Sequence, residues 1–293
     1  MIMFRYFPVI CICIILLGST CAADNTVSVG PSRDYVNFCA SCHGVNGDGE
    51  GKAARFLFPK PRSFIKSPLQ FATTTNRISS ASDIELVIRR GIPNTSMTGW
   101  PTLTDTQITT LVADVMRFRQ AGAKVRFLRL LTVTGDITSS DTPLLTPTQQ
   151  KDMGLYISKE TKPGATWSLP RLPEERLSIS RGLEVYKQQN CHKCHGEDAR
   201  GSYGIDIVGE YGFPTFASDL VNDAYKYGRD RGSITRVIQL GINGTKMPAS
   251  STLTIKQLSD LTEYIISIQN TESTPLTNSQ RYQRAIGNLN KSP

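Results

Sequence analysis

The chain has 293 residues, 39% hydrophobic and 20% charged, with a mean hydropathy of −0.23. That length suggests about two domains, and that composition excludes a disordered or polytopic chain. The formal charge is +8, from 33 Lys and Arg against 25 Asp and Glu. No basic stripe of the kind a nucleic-acid site requires stands out, so no nucleic-acid partner is expected.

The first element is a targeting segment. Arg5 is its only charge, Val9 to Leu17 is an unbroken apolar run, and small residues follow from Gly18 to Ala23. The run is short for a membrane span, which needs about 20 apolar residues. Residues 1–23 therefore read as a signal peptide with cleavage after Ala23. Retention as an anchor and lipidation at Cys21 are the alternatives, and only these would bring the chain to a membrane; Gly18 and Thr20 fit a lipidation site poorly. The expected location is exported, in the periplasm or a topologically equivalent compartment. Loss of the leader removes Cys11, Cys13 and Cys21 and leaves Cys39, Cys42, Cys191 and Cys194.

Residues 24–120 form a first module. Ser32 precedes Tyr35 and Phe38 on a short helix that leads into Cys39-Ala40-Ser41-Cys42-His43. A Gly- and Pro-containing loop follows. Ser82-x-x-Glu85 reads as a capping box, and Gly91 stops the helix it opens. Met97 lies in the next loop. Thr104-x-x-Gln107 opens a last helix with an apolar face of Ile108, Leu111, Val112 and Val115. Residues 121–177 differ in character. They carry Pro143, Pro147, Pro163, Pro170 and Pro173, and Val125 to Val133 reads as a strand or extended segment. Proline-rich stretches act as semi-rigid spacers, so this connecting segment is expected to drape over one or both modules and fix their relation.

Residues 178–270 repeat the first module. Ser180 is the expected cap of a helix bearing Leu183 and Tyr186, followed by Cys191-His192-Lys193-Cys194-His195. Gly241 stops a later helix, Met247 follows it, and Thr254-x-x-Gln257 opens the last one, with Leu258, Leu261, Tyr264, Ile265 and Ile268 on its face. Asp83–Leu111 and Ser233–Leu261 align 150 residues apart, including Ile84 with Ile234, Gly91 with Gly241, Met97 with Met247 and Gln107 with Gln257. Residues 271–293 are a polar tail. Neither module contains a convincing strand, so an all-α fold of two tandem modules is expected.

Cys-x-x-Cys followed by His is the attachment signature of c-type haem. Two thiols three residues apart on a helical turn can reach the two vinyl groups of one porphyrin, and the next residue turns its imidazole towards the iron. Other readings are weaker. A thioredoxin-type motif needs a βαβ setting. A zinc site would take methionine as its nearest fourth ligand, which zinc sites rarely use. Structural disulfides would leave the histidines unexplained. Two covalently bound haem c groups are therefore the expected cofactors. His192 lies inside a motif, so no free histidine remains for the sixth position, and no mature cysteine remains either. Methionine is the common partner of His in such sites. Met97 and Met247, at matched positions, are the expected ligands with His43 and His195. Met116 and Met153 read as core filler. Pro59, Pro61 and Pro214 lie where a carbonyl is needed to orient the proximal imidazole, and Trp100 reads equally as a haem wall or as core.

On these motifs each module resembles a class I cytochrome c, and the pair resembles dihaem cytochromes built by tandem duplication, as in the cytochrome c4 group. Phe38–Gly44, Asn46-Gly47-Asp48-Gly49, Pro59–Phe64, Gly91–Met97 and Asn243–Pro248 are similar to dihaem cytochromes of anaerobic respiratory chains. The resemblance spans both modules but not residues 121–177 or the tail. It implies single-electron carriage rather than catalysis, with Cys39, Cys42, His43 and Met97 on one haem and Cys191, Cys194, His195 and Met247 on the other. It also implies donor and acceptor redox proteins, such as a molybdenum enzyme or a quinol-oxidising complex. The alternatives it leaves are a haem-bearing subunit of an oxidoreductase complex, or a dihaem peroxidase. The latter typically relies on an extra histidine that this chain lacks. Thr98 departs from the proline that often follows the methionine.

Overall fold

The computed structural model describes residues 30–138, 144–171, 173, 176–201, 207–208, 214–215, 217–270, 277, 279–280 and 283. The leader with Cys21, Pro143 and nearly all of the tail lie outside them.

The first module contains α1 (Arg33–Phe38), α2 (Ala40–His43), a short 3-10 turn (Ala54–Phe56), α3 (Ala81–Arg90) and α4 (Asp105–Val133). Helix α5 (Pro147–Thr161) follows. The second module contains α6 (Ile179–Gln188), α7 (Cys191–His195), α8 (Arg231–Leu240) and α9 (Ile255–Ser267). The fold is helical as expected. Among the described residues the only strands are a two-residue antiparallel ladder, β1 (Ile207–Val208) with β2 (Pro214–Thr215).

Most helix ends follow the local sequence. The Ser32 hydroxyl accepts from Tyr35 N at 3.0 Å to start α1. Thr104 and Thr254 form full capping boxes with Gln107 and Gln257. Gly91 and Gly241 close α3 and α8 at φ 74° and 67°, where a side chain would be strained. Two starts differ from expectation. Helix α3 begins on a Ser80–Asp83 box, not at Ser82–Glu85. Buried Asp83 is drawn there because it also accepts from Thr73 N at 3.1 Å and Thr73 Oγ1 at 2.7 Å. Helix α6 is capped by Ser178, not Ser180, because the Ser178 N–H is held by Asp260 at 2.7 Å.

Each module buries one face of its last helix against the others. Ile84 and Ile88 of α3 meet Ile108, Leu111, Val112 and Val115 of α4. Val185 and Tyr186 of α6 and Ile234 and Ile238 of α8 meet Leu258, Leu261, Tyr264 and Ile265 of α9. Full burial of such a side chain contributes about 1.5–3 kcal/mol. Helices α6 and α9 cross so closely that a Cβ on Gly182 would lie 2.1 Å from the Asp260 carbonyl oxygen. A bond from the start of the first helix to a carboxylate on the last recurs in both modules. Ser32 N donates to Asp114, and Ser178 N to Asp260.

The segment after residue 120 is a correction. Val125 to Val133 is the final third of α4, which runs unbroken through residue 120. The stretch is rich in Ala, Leu, Lys and Arg, all good helix formers. Gly122, the poorest helix former there, is needed where a Cβ would meet Ile65 O at 2.1 Å. Helix α5 packs back on α4 through Phe127 and Tyr156, whose rings are 5.5 Å apart, and through Arg126 and Glu160. The chain then returns along the first module, with Thr75 N donating to Ala165 O at 2.8 Å and Trp167 N to Thr73 O at 2.7 Å. Trp167 Nε1 reaches Gln239 of α8 at 2.9 Å. The connecting segment thus touches both modules.

Asp260 is 2% exposed and accepts from Ser178 N, Arg181 and Lys256. Burial raises its pKa, but these donors outweigh it and hold the carboxyl below the ordinary carboxylate range. Its contribution is therefore present above the unfolded pKa of about 3.9 and is lost as pH falls through the depressed folded value. Asp260→Asn is expected to cost about 1–3 kcal/mol at neutral pH. In denaturant titrations at stepped pH, the gap to the unsubstituted chain should close as acid protonates Asp260.

Candidate haem sites

Each Cys-x-x-Cys-His run forms one short helix, α2 or α7, directly after the first helix of its module. A buried tyrosine fixes it. Tyr35 Oη donates to Gly44 O at 2.9 Å, and Tyr186 Oη to Gly196 O at 2.8 Å. Each acceptor belongs to the glycine that follows the histidine. A second bond secures the histidine carbonyl itself, from Gly49 N to His43 O at 2.8 Å and from Gly201 N to His195 O at 2.7 Å. Tyr35 and Tyr186 read in sequence only as apolar face positions; their recurrence just before each motif was the available signal.

The two imidazoles have matching environments. His43 Nδ1 lies 3.0 Å from Arg62 O, and His195 Nδ1 lies 2.9 Å from Ser218 O. A carbonyl oxygen can only accept, so Nδ1 carries the proton and Nε2 is left with a lone pair. Burial holds both histidines below their ordinary pKa, against the opposing pull of those backbone bonds. Both rings are therefore neutral near pH 7, as metal ligation requires. The orienting carbonyls belong to Arg62 and Ser218 rather than to Pro59, Pro61 or Pro214. Pro61 stiffens the turn one residue earlier. Phe64 stacks on His43 at 4.6 Å between centroids and 18° between planes.

Cys39, Cys42, Cys191 and Cys194 form no disulfide with one another. Burial, helped by Asp114 and Cys42, pushes Cys39 up to about 12, and burial also raises Cys191. Raised values disfavour the thiolate form that a zinc or redox centre uses. Among the described residues no group of three or more His, Cys, Asp and Glu side chains could hold a metal ion by itself.

Met97 and Met247 sit half-buried in loops of one design. Ile92 N donates to Met97 O at 2.9 Å, and Ile242 N to Met247 O at 3.1 Å. Thr95 Oγ1 and Thr245 Oγ1 each bridge the loop, donating at 2.8 Å to Ile92 O and Ile242 O and accepting at 3.1 Å from Met97 N and Met247 N. The left-handed turn residues, Asn94 at φ 59° and Gly244 at φ 64°, match in register. Met116 packs in the α4 core near Arg119. Trp100 packs on Phe38 at 5.4 Å within the same core. His192 lies 3.7 Å from Glu197 and takes no part in the matched geometry.

The donor set fits haem c: paired cysteines, a buried neutral imidazole with a lone pair at Nε2, and guanidinium groups with no ion pair among the described residues. Arg229 Nε and Nη2 are buried with no hydrogen-bond partner among the described residues. Buried Arg119 donates to Ser79 O at 3.2 Å and has no ion pair among the described residues. Haem brings two carboxylates, which would meet such guanidinium groups.

Comparison with known proteins agrees. Residues 32–116 match the family model for cytochrome c, and residues 178–265 match that for cytochrome c oxidase, cbb3-type, subunit III. The chain is 33% identical over 108 residues to the cbb3-type cytochrome c oxidase subunit CcoP of Rhodobacter capsulatus, covering 37% of this chain and 29% of that one. It is 35% identical over 95 residues to CcoP of Azospirillum brasilense, covering 32% and 28%. The chain thus spans under a third of the length of these curated relatives. A chain of the reducing HAO-like protein complex of Kuenenia stuttgartiensis shares the fold, with a TM-score of 0.62 at 24% identity, over 82% of this chain and 97% of that one. The two modules are cytochrome c domains in tandem. The chain belongs to the dihaem c-type cytochromes, with covalently bound haem c implied at Cys39–Cys42 and at Cys191–Cys194. No helix among the described residues is long and apolar enough to cross a membrane.

Replacing both thiols of one motif, Cys39→Ser with Cys42→Ser, is expected to halve the covalent haem per chain. The same holds for the Cys191 and Cys194 pair. Pyridine haemochrome absorbance per mole of protein, with haem staining after denaturing electrophoresis, checks both.

Proposed function

We propose that the chain carries single electrons between respiratory redox proteins through two six-coordinate haems. One is held by Cys39, Cys42, His43 and Met97, the other by Cys191, Cys194, His195 and Met247. The observation that carries this reading is the matched pairing of a buried, Nδ1-bonded histidine with a hydrogen-bonded methionine loop in both modules. Bound haem supplies reversible one-electron exchange at iron. The chain supplies the rest. The backbone carbonyls of Arg62 and Ser218 orient the imidazoles and raise their basicity. The tyrosines hold the attachment helices, and thioether ligation by methionine favours a high reduction potential.

His43 with Met97, and His195 with Met247, would hold each haem iron between two side chains and leave it no place for substrate, which favours carriage over peroxidase chemistry. The expected partners are a donor and an acceptor protein, with a molybdenum enzyme or a quinol-oxidising complex as the leading classes. The likeness to an oxidase subunit supports a respiratory setting. The location in this reading is the periplasm or its topological equivalent. A second reading, as a haem-bearing subunit of an oxidoreductase complex, is favoured by the α4–α5 hairpin. Val125, Leu130, Val133 and Leu155 are all exposed on it.

Met97→Ala and Met247→Ala are each expected to lower the potential of one haem and leave covalent haem content intact. Redox titration with haem quantitation checks this, and Met116→Ala is expected to leave both potentials unchanged. The oxidised native protein should show the weak methionine-to-iron charge-transfer band from both haems. A high-spin signal from either haem in the native protein would rule out the carrier reading.

A further inference from the structure

Both methionine loops lie on the seam between the modules. Asn94, three residues before Met97, donates its side-chain amide to Ala224 O of the second module at 2.8 Å. Asn243, four residues before Met247, donates to two carbonyls of the first module, Arg77 O at 2.6 Å and Leu69 O at 3.2 Å. The flanking arginines repeat the pattern. Arg90, at the end of α3, donates to Lys226 O at 3.0 Å, and Arg77 donates to Leu240 O, at the end of α8, at 3.1 Å.

Under the 150-residue repeat, segment 69–77 corresponds to 219–227, and segment 90–94 to 240–244. Each module therefore offers its methionine loop to the stretch that precedes α3 or α8 in the other. The contact is reciprocal, like an isologous interface folded into one chain. Its centre is Phe71 stacked on Tyr227 at 5.6 Å, with the Arg90 and Arg236 guanidinium groups over Phe71.

The bonds across this seam differ from those inside the loops. Within each loop, the threonine and isoleucine bonds shape the turn but tie it only to itself. The asparagine amides tie each loop to backbone carbonyls of a separate folded body. A loop so held opens less often, and an added ligand reaches iron only when the methionine is off it. The apparent affinity of such a ligand scales with the open fraction.

We infer that Asn94 and Asn243 are positioning residues that cross-brace the two methionine loops, so that the hold of each sixth ligand depends on the neighbouring module. This rests on the proposed ligation by Met97 and Met247. Asn243, with two acceptors, braces more strongly than Asn94, with one.

The test uses the full chain and imidazole as the competing ligand. The upfield methionine-methyl NMR signals of the reduced protein report each haem separately, and imidazole titration of the oxidised protein gives its affinity at each. Asn243→Ala removes both cross-module bonds and is expected to tighten imidazole binding at least about tenfold at the second haem, and to lower that haem's potential. The first haem should change less than about twofold. Asn243→Asp keeps the shape but loses the donor, so it should behave like alanine. Asn94→Gly removes the amide without straining the left-handed turn, as Gly244 does in register, and should act mainly on the first haem. The brace is overturned if both Asn243 variants and Asn94→Gly leave imidazole affinity at both haems within about twofold of the parent and both potentials unchanged. Met97→Ala and Met247→Ala run alongside. If these leave the methionine-methyl signals in place, the ligand assignment itself fails and the brace falls with it.

Discussion

A single hydrogen bond from each motif histidine to a backbone carbonyl underlies the chemistry of both modules. By taking the proton at Nδ1, Arg62 O and Ser218 O decide that Nε2 presents its lone pair. Burial keeps the rings neutral, and the same burial raises the pKa of Cys39 and Cys191. The surrounding structure serves that bond. The tyrosine hydroxyls and the Gly49 and Gly201 amides lock the short helix that carries the histidine, and the loop behind it delivers the carbonyl.

The two modules reach this arrangement by equivalent but not identical means. Both anchor the start of the first helix on a carboxylate of the last, yet Asp114 and Asp260 stand one helical turn apart in the repeat register. The close helix crossing made possible by Gly182 belongs to the second module alone. The first module instead lengthens its last helix, brings Gly122 against Ile65, and adds α5 as a buttress. The packing geometry has been kept where the haem motif depends on it and has diverged elsewhere. Guanidinium groups follow the same rule. Arg119 comes from α4 and Arg229 from the turn before α8, yet Arg119 bonds the carbonyl of Ser79, the residue that corresponds to Arg229.

Much of this was legible from residues alone. The Cys-x-x-Cys-His runs, the paired methionines, the glycine stops and the Thr–Gln capping boxes are local patterns whose physics acts within a turn of chain. The misread positions turn on contacts or chain continuity beyond the local turn. Ser80 starts α3 because Asp83 is also wanted by Thr73, and Ser178 caps α6 because Asp260 lies across the module. Val125 to Val133 is apolar enough for a strand. It is helical because α4 continues through it without a stop and α5 covers one side.

The sequence by itself determined the number of modules, their helical class, the haem attachment residues and, by the shortage of histidine, methionine as the expected sixth ligand. Those follow from residue identity and short spacing. Only the tertiary structure decided which carbonyls orient the imidazoles, that Arg119 and Arg229 have no ion pair among the described residues, and that each methionine loop is bonded to the opposite module. Such features join backbone groups and side chains that the chain brings together from as far as 174 residues apart, and a carbonyl leaves no mark in the one-dimensional code.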